Sequence, residues 1–223
     1  MDFMKLLNSL DELLYEVMSW LIFFPLTVWR TIVRPVEMMQ YADQQLNQPE
    51  AKQYADALNP PVFLTAALAM THFGASALGQ VDQIEASHRG LSAMINDDTS
   101  ALLLRIIVFA LFPLMMAVRE VRREKRPLNR KSLQLPFYAH CYPAAIFALF
   151  LTAGSILAGL TLRPFQIFGW TLIVSAVAYY LIVATVWFSR QPGSSRIGAF
   201  GSALRAMVEA SVVFGIAGVL FST

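Results

Sequence analysis

Cysteine, histidine and charge are all scarce in this 223-residue chain. One cysteine, Cys141, leaves no intramolecular disulfide to form and so excludes a disulfide-stapled secreted scaffold. Three histidines, with no Cys or His cluster at finger spacing, exclude a structural zinc module. Charged residues make up only 14% of the chain, against about 25% in soluble domains. That shortage excludes a disordered tail, which needs charge to stay solvated. Motif chemistry is missing as well. There is no G-x-S-x-G elbow, no H-E-x-x-H, no Gly-rich phosphate loop followed by Lys, and no pair of intramembrane aspartates. The expectation is a protein that is not an enzyme and carries no metal or other cofactor.

What fills the space is apolar: 57% of residues are hydrophobic and 12% aromatic. A soluble domain of this length exposes too much of its surface to hide that content. An integral membrane protein follows. Crossing a hydrocarbon core of about 30 Å takes about 20 mostly apolar residues. Stretches at about 61–79, 101–118, 137–160, 165–188 and 203–221 meet that need. Backbone in lipid must satisfy its own hydrogen bonds, so each is expected to be helix, and none alternates like a barrel strand. The segment Val17–Val33 is shorter, is interrupted by Pro25 and is closed by Arg34-Pro35. Trp20 and Trp29 suit headgroup depth, so this segment reads as an amphipathic helix in the interface. The expected fold is therefore an all-α polytopic membrane bundle. Residues 1–59 form a cytoplasmic and interfacial lead, and residues 60–223 a five-span bundle.

Orientation rests on loop Lys and Arg. The connector Arg119–Leu135 holds seven basic and two acidic residues, a local +5, whereas the whole chain is +2 and the remainder therefore −3. The 80–100 connector carries Asp82, Glu85, Asp97 and Asp98 against Arg89, and the short 161–165 turn carries only Arg163. Arg190 and Arg196 mark the 189–204 connector as basic, with Arg205 just inside the fifth span. This alternation puts the N-terminus in the cytoplasm and the C-terminus on the far side. Acidic Asp2, Asp11, Glu12 and Glu16 before the first apolar run do not form a cleavable signal. Trp170 and Trp187 are 17 residues apart, about 26 Å on a helix, close to the separation of two interfacial belts. At a membrane surface the basic connector suits anionic headgroups rather than nucleic acid.

Between Val36 and Pro61 the chain is polar and Gln-rich, and Tyr41-Ala42-Asp43 recurs as Tyr54-Ala55-Asp56. A short helix pair on the membrane surface is the expected form. The patterns Gly154-x-x-x-Ala158, Ser155-x-x-x-Gly159, Ala75-x-x-x-Gly79 and Ser211-x-x-x-Gly215 let helices approach closely, inside one bundle or between partners.

Ionisable residues inside spans are costly and point to function or to a partner. They are His72, Arg105, His140, Arg205 and Glu209. His72 falls roughly 18 Å from the cytoplasmic edge and His140 only about 5 Å, too far apart in depth to share a metal. Arg105 lies near the outer edge, placed to snorkel. Arg205 and Glu209 stand four apart on one helix face, at the spacing of an ion pair, at the depth of His140. His140, Arg205 and Glu209, with Cys141 and Tyr142 beside them, are the candidate polar membrane site, provided the third and fifth spans are neighbours. Glu209 is the one acidic residue inside an expected span.

Pro25, Trp29, Ile32 and Pro35 lead into five spans, and a basic connector runs into an aromatic helix at Phe137–Pro143. In this pattern the chain resembles the bacterial branch of the Yip-domain membrane proteins, often labelled permease-like. The resemblance implies a multi-pass inner-membrane protein. The Asp-Leu-Tyr-Gly-Pro signature of eukaryotic members is missing, so no functional residue is carried over. Two functions are expected: a scaffold or accessory subunit of a membrane assembly, self-associating or with a membrane partner, and, as the alternative, a small permease or channel.

Overall fold

A computed structural model describes residues 18, 20–49, 53–77, 98–190 and 194–222. The acidic N-terminal residues, Gly79 and most of the 80–100 connector lie outside the described residues. The described residues are overwhelmingly helical and include no strand. In chain order the helices are α1 (Trp20–Val33), α2 (Pro35–Leu46), α3 (Pro60–Ala77), α4 (Asp98–Phe109), α5 (Leu111–Arg123), α6 (Arg130–Ala158), α7 (Arg163–Ser189) and α8 (Arg196–Ser222).

Four helical stretches are long and apolar enough to cross a membrane: Leu102–Arg123 (α4 running into α5 at Ala110), α6, α7, and α8 over Arg196–Ile216. A multi-pass membrane protein is the consequence. The first expected span coincides with α3, an 18-residue helix that includes two prolines and His72 and is less apolar than the four. Helices overrun the expected apolar limits because local chemistry caps them beyond the lipid-compatible run. At the start of α6, Asn129 accepts from the Ser132 amide at 2.8 Å, and Ser132 Oγ takes the Asn129 amide at 3.1 Å. This reciprocal box starts α6 seven residues before the apolar stretch.

The central element is α6, which packs against α2, α3, α5 and α7. Its stretch from Ala139 to Ala148 is continuously buried, Pro143 included. At the level of Phe147 an aromatic layer ties the bundle together. Phe147 stacks on Tyr180 of α7 at 5.2 Å and meets Phe112 of α5 at 5.1 Å, while Phe109 contacts Phe214 of α8 at 5.7 Å. Farther along, α6 and α7 cross where Gly154 faces Gly169. A Cβ on Gly169 would fall 2.3 Å from the Ala158 nitrogen and 2.6 Å from the Gly154 oxygen. Gly154-x-x-x-Ala158 thus serves packing inside the bundle.

Helix α1 is docked rather than separate. Thr27 and Thr31 are buried, Phe24 packs on Phe63 of α3, and Tyr179 of α7 donates to the Thr31 carbonyl at 2.8 Å. Leu58, just before α3, is held from both sides: its amide donates to Thr27 Oγ1 at 3.2 Å and its carbonyl accepts from Tyr142 at 2.8 Å. The expected helix pair is not formed. Tyr41-Ala42-Asp43 lies on α2, but Tyr54-Ala55-Asp56 occupies a turn in which Tyr54 has φ 55°. The two copies meet, with the Tyr41 hydroxyl donating to Asp56 and the two tyrosine rings 6.1 Å apart, edge to face.

Candidate functional site

Helix α5 buries Phe112, Pro113, Met116, Ala117, Glu120 and Val121. The three-and-four spacing carries one apolar stripe past the expected end of its span, and Glu120 lies on that stripe. A carboxylate there has to be paired. One oxygen, Glu120 Oε2, lies 3.0 Å from His140 Nε2 on α6 and accepts from Trp187 Nε1 on α7 at 2.9 Å. His140 is fully buried, with Phe188 at 5.7 Å and Trp187 at 6.5 Å between ring centroids. With the hydrogen on Nε2, the imidazole and the indole both donate to the same carboxylate oxygen. Nδ1 is then a bare lone pair, and it is buried without a hydrogen-bond partner. Three helices are joined by this one carboxyl group.

One turn toward the end of α5, Arg123 performs a second joining. Its guanidinium donates to the Gly198 carbonyl at 3.1 Å, to Ser202 Oγ at 2.6 Å and to Ser194 Oγ, and lies 5.6 Å above the Phe188 ring. The start of α8 is thereby fixed to α5 and α7.

On the other side of Glu120 the polar region continues to α2. Asp43 Oδ1 is buried with no hydrogen-bond partner. Burial, reinforced by the negative charges of Glu120 and Glu124 and opposed by Arg126, pushes the Asp43 carboxyl up to about 7. Asp56 behaves oppositely: the Tyr41 hydroxyl and Arg30, 3.3 Å away, hold its carboxyl below the usual range. Tyr54 is pushed up, first by burial and then by neighbours that include Asp43.

The residues of the expected polar site separate into two places. Arg205 and Glu209 form the expected pair, Nε to Oε1 at 2.8 Å, on the outer face of α8 with side chains 65% and 42% exposed. Helix α8 packs on α5 and α7, whereas His140 is on α6 and bonds to Glu120. Cys141 and Tyr142 are buried with His140 in the α6 core. His72 is buried on α3 with Phe73 beside it, and Arg105 is partly buried on α4. Glu120 is a second acidic residue within a spanning helix, correcting the reading that Glu209 is the only one. Sequence reasoning missed it by assigning it to the basic connector. The signal was present in the 112–113–116–117–120–121 spacing, which continues beyond the last uncharged residue. Among the described residues, no group of three or more His, Cys, Asp or Glu is placed to hold a metal.

No match to the chain is found among protein-family models, curated proteins or solved structures. Glu120, His140 and Trp187 form a sealed joint, Asp43 is a carboxyl poised to exchange a proton near neutral pH, and Arg205–Glu209 presents balanced charge outward.

Proposed function

We propose that the chain is a five-span bundle of a bacterial inner membrane that acts, without catalysis, as a scaffold or accessory subunit of a membrane assembly. The observation that carries this reading is the outward Arg205–Glu209 pair. A charged pair on an apolar membrane helix is costly against lipid and inexpensive against another polar or paired helix surface. In this reading α3, about 27 Å long, is the fifth span, and α1, with Trp20 and Trp29 exposed, lies in the interface. The N-terminus is cytoplasmic and the C-terminus periplasmic. Exposed Arg122, Lys125, Arg126, Arg130 and Lys131 surround an outward Leu128, a composition suited to anionic headgroups. Membership of the Yip-domain-like group belongs to the same proposal. The test is purification of the full chain in mild detergent or native lipid discs. A fixed-stoichiometry assembly, with itself or another membrane protein, is expected, and a solitary monomer defeats the reading.

One observation favours the alternative of a small permease. Asp43, raised to about 7, lies near Glu120 and Glu124 at one end of the bundle, an arrangement that can take up and release a proton. Proton-coupled flux in vesicles that disappears in Asp43→Asn would establish it, and flux unchanged by that substitution would remove Asp43 from any such mechanism.

A further inference from the structure

Arg30, Arg34, Arg123, Arg126 and Arg205 each donate to an oxygen of the chain. Arg119 does not. It is half-buried, its Nε is enclosed without a hydrogen-bond partner, and among the described residues no carboxylate pairs with it. The nearby acids are engaged elsewhere. Glu120 is held by His140 and Trp187, Glu124 by Arg126 and Glu209 by Arg205, while Asp43 has Arg126 as its cationic neighbour. The connector that begins at Arg119 carries a local +5, so it adds repulsion rather than a partner.

Position decides where an anion can come from. Phe112, Met116, Arg119 and Arg123 follow the i, i+4, i+7, i+11 line along one side of α5. Both ends of that line meet α8: the Phe112 and Phe214 ring centroids are 6.2 Å apart, and Arg123 donates to Ser202 at 2.6 Å. Arg119 therefore stands at the seam between α5 and α8, about 6 Å before Arg123 along the helix. It is inside the stretch Leu102–Arg123 that is apolar enough to cross a membrane. The α8 side chains buried between those two levels, Ala203, Ala206, Met207 and Ala210, carry no anion. One and two turns deeper on the same flank, Met115 and Leu111 are partly exposed, and Arg122, one turn toward the connector, is exposed. Two cations thus stand at the end of an apolar track, the order in which a phospholipid presents its headgroup and acyl chain.

We propose that Arg119, with Arg122 beside it, holds the phosphate of one anionic phospholipid of the cytoplasmic leaflet at the seam between α5 and α8, its acyl chain lying along Met115 and Leu111. The proposal rests on the orientation and the headgroup attraction argued above, and it replaces a diffuse attraction with one defined site. A half-buried guanidinium needs a counter-charge, and a planar donor fork matches phosphate oxygens. At this depth lipid phosphate is the anion at hand. A lipid whose headgroup also carries an ammonium would bring that cation against a region of +5, so net negative charge is selected.

The experiment uses the full chain in phosphatidylcholine bilayers that contain spin-labelled phosphatidylglycerol or spin-labelled phosphatidylcholine, with the protein-bound fraction read by electron spin resonance. The wild type is expected to prefer the anionic probe by about fivefold or more, and Arg119→Gln to reduce that preference below about twofold. Two charge-matched substitutions at exposed positions guard against misfolding. Arg122→Glu sets a carboxylate one turn from Arg119, and it is expected to occupy the guanidinium and abolish the preference. Lys131→Glu makes the same change of charge farther along the connector and is expected to keep most of it. Retention of the preference in about 0.5 M NaCl is expected of a partly desolvated site and not of surface attraction. An unchanged preference in both Arg119→Gln and Arg122→Glu overturns the proposal. So does displacement of the lipid probe by inorganic phosphate at matched ionic strength, which would make the site one for free phosphate. Equal losses in Arg122→Glu and Lys131→Glu, or loss in salt, also overturn it and leave the diffuse headgroup reading standing. A wild type with no preference overturns both.

Discussion

Glu120 and Glu209 are both carboxylates on membrane helices, each hydrogen-bonded to a nitrogen base, yet their surroundings assign them opposite tasks. Glu120 is enclosed by α5, α6 and α7 and shares one oxygen between an imidazole and an indole. Glu209 has its arginine on its own helix and faces away from the bundle. Removing a buried partner strands others in a medium that offers no replacement. Removing an outward one leaves every interior hydrogen bond of the bundle in place. The inner group therefore determines whether the helices stay joined, and the outer group what the joined helices can meet.

The sharpest break in this comparison is Glu120→Ala, which leaves the buried His140 and part-buried Trp187 donors unpaired. It should destabilise the bundle by about 3 kcal/mol or more, read from unfolding in mixed micelles. A loss no larger than that of an exposed substitution would mean that water replaces the carboxylate and the joint is not sealed. Next in size is Gly169→Ala. The added methyl would meet backbone atoms of α6 at 2.3 and 2.6 Å, which no rotamer change relieves, and about 2 kcal/mol should be lost in the same measurement. This sharpens the contrast by showing that the far end of the interior is as closed as the end near Glu120.

Asp43 stands between the two extremes, half-buried and without a partner for Oδ1. Its carboxyl is raised in the folded state to about 7, so between about pH 4 and 7 the folded chain holds a proton that the unfolded chain has lost. Stability contributed by this group is present at the acid end and is lost as pH rises through 7. The melting temperature of the wild type should fall across that window, and Asp43→Asn should flatten the slope. The smallest effect on the single bundle is expected from Glu209→Gln, because the amide oxygen can still accept from Arg205 and no interior group loses a partner. If it destabilised the bundle as much as Glu120→Ala does, the outer face would be part of the interior and the comparison would collapse.

Much of the bundle was legible in the residues. Apolar runs located α6, α7 and α8, because uncharged stretches of that length have few alternatives to helix in lipid. The i,i+4 spacing of Arg205 and Glu209 announced their pair, a purely local geometry. Three features were misread where the deciding interaction was long-range. Glu120 looked like a connector residue because its neighbours are arginines, and only the stripe it shares with Phe112 and Met116 puts it inside. His140 was grouped with Glu209 by depth alone, which fixes height along a bundle and not azimuth around it. Tyr54 was expected in a helix that the structure replaces with a left-handed turn, held by Tyr41 and Asp56 contacts made with a different element.

By itself, the sequence determined that this chain belongs in a membrane and which stretches are apolar enough to cross it. Those properties follow from transfer free energies summed along a single helix, with no knowledge of its neighbours. Which helix lies beside which was decided only in three dimensions. The close approach of Gly154 to Gly169, the meeting of Glu120 with His140 and Trp187, and the side of α8 left uncovered all depend on rotation about helix axes. Lipid and protein interior are almost equally apolar, so hydrophobicity cannot set that rotation, and packing and hydrogen bonding do.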